Sequence, residues 1–129
     1  MGKTLATQRS LKHLRDHGWT ACIVEKFLPA RGKMKFPRRI DAFGIGDVLA
    51  CRTGLLIVPA TGLPVQQIAL VQTFPLARWH DHRDKILAIP EFHKWKEAGG
   101  LVILHGWSFK PKDGIRGAVK RWTLKEEYL

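Results

Sequence analysis

Two apolar runs of the chain carry polar side chains that an ordinary buried strand would not contain. Residues Ile40–Ala50, IDAFGIGDVLA, include Asp41 and Asp47, and residues Ile68–Phe74, IALVQTF, include Gln72. Both runs have the composition of buried strands. A carboxylate or an amide that leaves water is costly unless a partner compensates it. Any fold of this chain must therefore bring a metal, a cation or hydrogen-bond donors to these runs.

The charge balance favours a polyanionic partner. Lysine and arginine number 22 against 11 aspartate and glutamate residues, which gives a net charge of +11 in 129 residues. Nucleic acid is the first candidate for the partner, and an anionic membrane surface is the second. No apolar run approaches the roughly 18 residues that span a bilayer, and the N-terminus, MGKTLATQRS, lacks the apolar stretch of a signal peptide. We therefore expect a cytoplasmic protein without a membrane anchor.

Hydrophobic periodicity predicts one α/β domain over residues 1–129 with the element order α-β-β-β-α-β-β. Helices are predicted over 4–17, 76–88 and Glu91–Ala98, strands over Trp19–Leu28, Ile40–Ala50, 54–59, Val65–Phe74, Leu101–Phe109 and Ala118–Leu124, and a basic loop over 29–39. Gly44 and Gly46 predict a bulge or a close backbone approach inside the second strand. Helices packed on a mixed central sheet suit this order.

Some strand residues are predicted to fill the core. Trp107 and Trp122 fall in predicted strands, where packing is the usual role of a tryptophan. Cys22 and Cys51 fall in apolar runs and are expected to be small buried hydrophobic residues.

The oxygen-bearing residues of three predicted strands offer a metal site. Asp47 follows the glycine kink, Gln72 lies on the next strand, and Glu25 lies on the strand before them. Oxygen ligands of this kind hold the divalent cations that assist phosphodiester cleavage. Each residue also has a structural interpretation: Asp47 as the cap of a turn, and Glu25 as part of a solvated strand face. Asp41 is expected to pair with Arg38 or Arg39 rather than to join the site.

This layout resembles the restriction-endonuclease-like PD-(D/E)xK nuclease fold, which includes Holliday-junction resolvases and VRR-type nucleases of phages. The matching segments are GDVLA at Gly46–Ala50, IALVQTF at Ile68–Phe74 and ARWHDHRDKI at Ala77–Ile86. Only Asp47 matches the motif letter for letter, because Gln72 stands at the family's glutamate and Phe74 at its lysine.

The resemblance implies a Mg²⁺- or Mn²⁺-dependent endonuclease that cuts branched DNA as a homodimer. Asp47, Gln72 and Glu25 would hold the metal. The missing lysine would be replaced by a cation from the following helix, for which Lys85 or Arg83 is the candidate. The apolar segment 54–65 would then belong to the dimer interface.

Basic residues near these segments are predicted to hold the nucleic-acid backbone on either side of the site. They are Arg31, Lys33, Lys35, Arg38, Arg39, Arg78, Arg83 and Lys112. We expect binding that depends little on sequence and falls steeply with salt.

Two alternatives to a nuclease remain open on the sequence. Gln72 and Phe74 suit a catalytically inactive, nucleic-acid-binding relative of the same fold. The net charge alone suits a basic RNA-binding protein in which the acidic residues are structural.

Overall fold

A computed structural model describes residues 5–32, 36, 38–57, 59–111 and 115–129 of the chain. Within these residues, three α-helices and a short 3-10 helix accompany seven strands. In chain order they are α1 (Leu5–Asp16), β1 (Thr20–Ile23), β2 (Lys26–Leu28), β3 (Arg38–Ile40), β4 (Val48–Ile57), β5 (Pro64–Pro75), the 3-10 helix (Leu76–Arg78), α2 (Trp79–Ala88), α3 (Pro90–Glu97), β6 (Leu101–Pro111) and β7 (Lys120–Tyr128). Among these helices none is long and apolar enough to cross a membrane.

The main sheet contains five strands in the order β1-β4-β5-β6-β7. Neighbouring strands are antiparallel except for β5 and β6, which run parallel because α2 and α3 connect them. Strands β2 and β3 form a separate antiparallel pair. The predicted α/β class, with helices flanking a mixed sheet, is thereby confirmed.

Two apolar layers lie on opposite faces of this sheet. On one face Leu11 and Leu14 of α1 pack on Val71 and Ile103. On the other face the helices after β5 contribute Trp79 and Ile86, among others, to a second cluster of buried residues. Because side chains alternate along a strand, odd-numbered residues of β5 face α1 and even-numbered residues face α2 and α3.

The predicted strand Trp19–Leu28 is divided in the structure. Its first part is β1 in the main sheet, whereas its last part, β2, pairs with β3 outside that sheet. The predicted strand Ile40–Ala50 is also wrong, because the chain turns over residues 41–46 before β4 begins. Phe43 and Gly44 adopt left-handed conformations with φ of 56° and 71°, which a continuous strand cannot accommodate. Strand β4 then continues to Ile57, and β7 extends through the acidic residues to Tyr128.

Three of the four side chains assigned above to the core lie at the surface. Trp122 is 45% exposed, and Cys22 and Cys51 are also exposed. Strand alternation explains the cysteines, because their neighbours Ala21 and Ala50 are the residues that face α1. Trp122 lies on the edge strand β7 and packs on Phe109, with ring centroids 5.2 Å apart.

Candidate functional site

The turn over residues 41–46 positions the first acidic residues of the site. Ala42 and Gly46 form an isolated bridge, and the Ala42 amide donates to the Gly46 carbonyl at 2.8 Å. At the exit of the turn the Asp47 amide donates to the Val71 carbonyl at 3.0 Å, and the Asp47 carbonyl accepts from Val24 at 3.0 Å. The backbone of Asp47 is therefore fixed between β5 and the segment after β1.

Gly46 lies against the backbone of β5. A Cβ atom placed on Gly46 would lie 2.9 Å from the Val71 carbonyl oxygen and 3.1 Å from Cβ of Leu70. The close backbone approach predicted from the glycines is therefore present at Gly46, where the chain enters β4.

The substitution Gly46→Ala should destabilise the protein by about 1–3 kcal/mol, because the new methyl group meets backbone atoms that cannot move aside cheaply. The same methyl group would move the backbone of the adjacent Asp47, so the loss of stability should be accompanied by a displaced Asp47 side chain. Urea denaturation measures the stability change. Wild-type stability in this variant would show that β4 can lie further from β5 than the structure has it.

Asp47 is buried on the α1 face and fully engaged in hydrogen bonds. Its side chain accepts from the Thr73 amide at 3.0 Å, from the Thr73 hydroxyl at 2.5 Å and from the Thr7 hydroxyl at 3.1 Å. Burial raises the pKa of Asp47 to about 6, and the charge of Asp41 adds to the rise, although the Thr73 hydrogen bonds oppose it. This carboxylate is held in place at a cost in free energy.

Gln72 and Asp41 meet on the opposite face of β5. The Gln72 side-chain amide, oriented to satisfy its hydrogen bonds, donates to Asp41 Oδ2 at 2.8 Å and to the Ile45 carbonyl at 2.7 Å. Burial raises the pKa of Asp41, while the Gln72 hydrogen bond and the charge of Lys85 act in the other direction. Asp41 therefore pairs with Gln72. The expected pairing of Asp41 with Arg38 or Arg39 is wrong.

The structure brings some of the predicted site residues together and separates others. Asp41, Gln72 and Lys85 interact, and the charge of Asp41 reaches Asp47 across the end of the sheet. Asp47 and Gln72 nevertheless point to opposite faces of β5. Glu25 forms an ion pair with Arg39, in which the Arg39 Nε atom lies 3.2 Å from the Glu25 carboxylate.

The basic residues predicted to hold nucleic acid divide into three groups. Arg39, Arg78 and Arg83 form ion pairs with Glu25, Asp81 and Glu127, respectively. Arg31 and Arg38 are exposed. Lys33, Lys35 and Lys112 lie outside the described residues.

Sequence reasoning missed the threonines that hold Asp47. Thr7 and Thr73 are 4% and 8% exposed, and their hydroxyls lie 3.1 Å apart. Two buried hydroxyls beside one buried carboxylate are recognisable only once α1 is seen to cross β5. The one available signal was that the polar residues Thr7 and Ser10 lie on the helix face that carries Leu11 and Leu14.

Comparison of the chain with protein-family models, with curated proteins and with solved structures finds no match.

Proposed function

We propose that this protein is a metal-dependent endonuclease of the restriction-endonuclease-like fold that acts on branched or structured DNA. The observation that carries the proposal is the pair Asp41 and Asp47. Both carboxyl groups have a pKa raised by burial, and the charge of Asp41 contributes to the rise at Asp47. Two buried carboxylates whose negative charges repel each other suit a site that binds a cation.

The donor set fits Mg²⁺ or Mn²⁺. Carboxylate and amide oxygens are the hard ligands that these ions prefer. Asp41 and Asp47 would hold the ion, and Gln72, which faces Asp41 and not Asp47, would orient the Asp41 carboxylate through its NH₂ group. In this proposal Asp41 takes the place that the resemblance gave to Glu25, because Glu25 is paired with Arg39. The ion would supply the positive charge that polarises a phosphate and acidifies a water molecule.

The strand order also supports the proposal. An antiparallel meander, β1-β4-β5, is followed through α2 and α3 by the parallel strand β6. This arrangement is the one implied by the resemblance to the nuclease fold, with Asp47 at the start of its second strand. Fold alone does not determine function, so the acidic pair and not the sheet carries the argument.

Lys85 is the residue we propose as the positioning cation. Its charge acts on Asp41, whereas the Nε atom of Arg83 lies 3.1 Å from Glu127 on β7. A lysine ammonium near the acidic pair would orient a phosphate oxygen and balance negative charge that develops during cleavage. Phe74, which stands where the motif has its lysine, carries no charge and is 2% exposed inside the apolar layer.

The partner in this proposal is DNA, bound by a homodimer. The net charge of +11 favours backbone contacts, for which the exposed residues Arg31 and Arg38 are available. The end of the β4–β5 hairpin exposes Ile57 and Leu63 by 60% and 62%. Two apolar side chains at a hairpin tip suit the dimer interface that would place two sites on the two strands of a junction.

A cleavage assay on a labelled four-way junction with Mg²⁺ or Mn²⁺ tests the proposal. Wild-type protein should cut, Asp47→Ala should lose at least about 100-fold in rate, and Lys85→Gln at least about 10-fold. Asp81→Asn, which changes an exposed acid of the same helix as Lys85, is the matched control and should cut normally. Equal activity of wild type and Asp47→Ala would refute the assignment.

The non-catalytic alternative has support of its own. The Asp47 carboxylate already accepts three hydrogen bonds from Thr7 and Thr73, which suits a structural residue that joins α1 to the sheet. In that case the protein would bind junction DNA but neither cut it nor bind Mg²⁺. Calorimetric titration with Mg²⁺ separates the two functions, because only the nuclease should show saturable binding that Asp47→Ala removes.

A further inference from the structure

A row of polar side chains crosses the sheet beneath α1, beyond Asp47 and Thr73. On β6, His105 lies opposite Thr73, and on β7, Glu126 lies opposite His105. His105 is completely buried. Helix α1 covers this end of the row with Ser10 and His13. Both nitrogen atoms of a fully buried imidazole need hydrogen-bond partners.

Both nitrogen atoms of His105 have partners in the row. Nδ1 lies 2.8 Å from the Ser10 hydroxyl, which also accepts from the Trp107 indole N–H at 2.8 Å. Nε2 lies 2.7 Å from Glu126 Oε2. These contacts fix the ring, so that Nε2 is directed at the carboxylate and towards the surface.

His13 completes a set of three ligand atoms. Its Nε2 lies 3.5 Å from the same Glu126 Oε2. The ligand atoms of His13, His105 and Glu126 all lie within 4.8 Å of one another. In a tetrahedral zinc site with bonds of about 2.0–2.1 Å, ligand atoms lie about 3.3 Å apart. The His13–Glu126 distance of 3.5 Å is close to that spacing. The His105–Glu126 distance of 2.7 Å would have to lengthen on metal binding, and the Glu126 side chain that would move is partly exposed on the edge strand β7.

We propose that His13, His105 and Glu126 bind a divalent transition metal ion, with Zn²⁺ as the best match, at a site separate from the Asp41–Asp47 pair. Two imidazoles and one carboxylate select Zn²⁺ over Mg²⁺, which prefers oxygen ligands. The Ser10 hydroxyl fits the role of the outer partner that a metal-bound histidine requires, because it can accept a hydrogen bond from Nδ1–H of His105, which leaves the Nε2 lone pair for the metal.

The site has an open side towards solvent. The side chains of His13 and Glu126 are 27% and 32% exposed. His13 also lines a surface cavity of about 330 Å³, together with Arg9, Lys12, Asp16, Trp107 and Trp122. A metal held by three protein ligands beside this cavity would keep a fourth position for water or for a small anionic ligand. Arg9 provides complementary charge for an anion, whereas Lys12 is paired with Asp16 at 2.6 Å.

Titration of the metal-free full chain with Zn²⁺ tests the inference. One ion per chain should bind, and the imidazole ¹⁵N resonances of His13 and His105 should shift while those of the exposed His93 remain in place. Because the resonances are observed in wild-type protein, this measurement does not depend on the folding of a variant. Absence of saturable binding, or shifts confined to other histidines, would overturn the site.

Two matched variants sharpen the assignment. His13→Gln should weaken Zn²⁺ binding by at least about 100-fold, whereas His17→Gln, which changes the histidine stacked on His13 at 4.1 Å, should leave it within about threefold. Asp47→Asn should also bind Zn²⁺ normally, so failure of the nuclease proposal and failure of this one are distinguishable. Loss of Zn²⁺ binding in Asp47→Asn or in His17→Gln would contradict the ligand set.

Discussion

Asp47→Asn should make the protein more stable in Mg²⁺-free buffer at pH 7.5, by roughly 2–3 kcal/mol. The pKa of Asp47 is raised from 3.8 to about 6 by burial, so the folded chain holds this proton at pH values where the unfolded chain has released it. Stability from this group is complete below pH 3.8 and is lost as the pH rises through about 6. Asparagine keeps the acceptor for the Thr73 amide and has no charge to bury.

The stability gain should therefore depend on pH. The difference between Asp47→Asn and wild type should grow between the two pKa values and stay constant above them, as measured by urea denaturation at several pH values. Millimolar Mg²⁺ should then stabilise wild type but not the variant. Asp81→Asn, with a side chain 74% exposed, is the control and should change stability by less than about 0.5 kcal/mol. A destabilised Asp47→Asn would show that the charge itself is needed for folding.

Phe74→Lys, which restores the lysine of the nuclease motif, should destabilise the protein by about 3–5 kcal/mol and should not increase cleavage. Phe74 is 2% exposed. Its ring stacks on His82 with centroids 4.4 Å apart and contacts Trp79 at 5.5 Å. A lysine here would lose these contacts and would place its ammonium group in the apolar layer formed with α2 and α3. Thermal or urea denaturation measures the loss.

Phe109→Lys is the matched control for this substitution. Phe109 is on β6 and 54% exposed, so the same chemical change there should cost no more than about 1 kcal/mol. If Phe74→Lys instead had wild-type stability and cut junctions faster, position 74 would open to the acidic pair, and the assignment of Lys85 as the relocated cation would be wrong.

These two substitutions bear on different aspects of the proposed site. Asp47 carries a charge that the fold has to bury, and a gain in stability on removing it would indicate a residue kept for something other than stability. Replacement of Phe74 should instead reduce stability, because the apolar core depends on its ring. A nuclease of this type would thus retain the acidic part of its site while its cation comes from α2.

The sequence determined the kinds of elements and the polar positions within them. Apolar periodicity is a local property, so it predicted α1, the helices after β5 and the long strands β5 and β6. It also identified Asp47 and Gln72 as polar residues in apolar surroundings. The sequence predicts a strand over the turn at 41–46 because the turn has the apolar composition of a strand. The left-handed backbone at Phe43 cannot be predicted from the residue types.

Only the tertiary structure decided what each polar residue meets. Asp47 and Gln72 seemed to share one metal, but strand alternation directs them to opposite faces of β5, to Thr73 in one case and to Asp41 in the other. His13, His105 and Glu126 come from α1, β6 and β7, and most of the chain separates the first from the second. Register and helix placement bring such residues together, and both depend on how the apolar faces of the entire chain pack, which no local pattern contains.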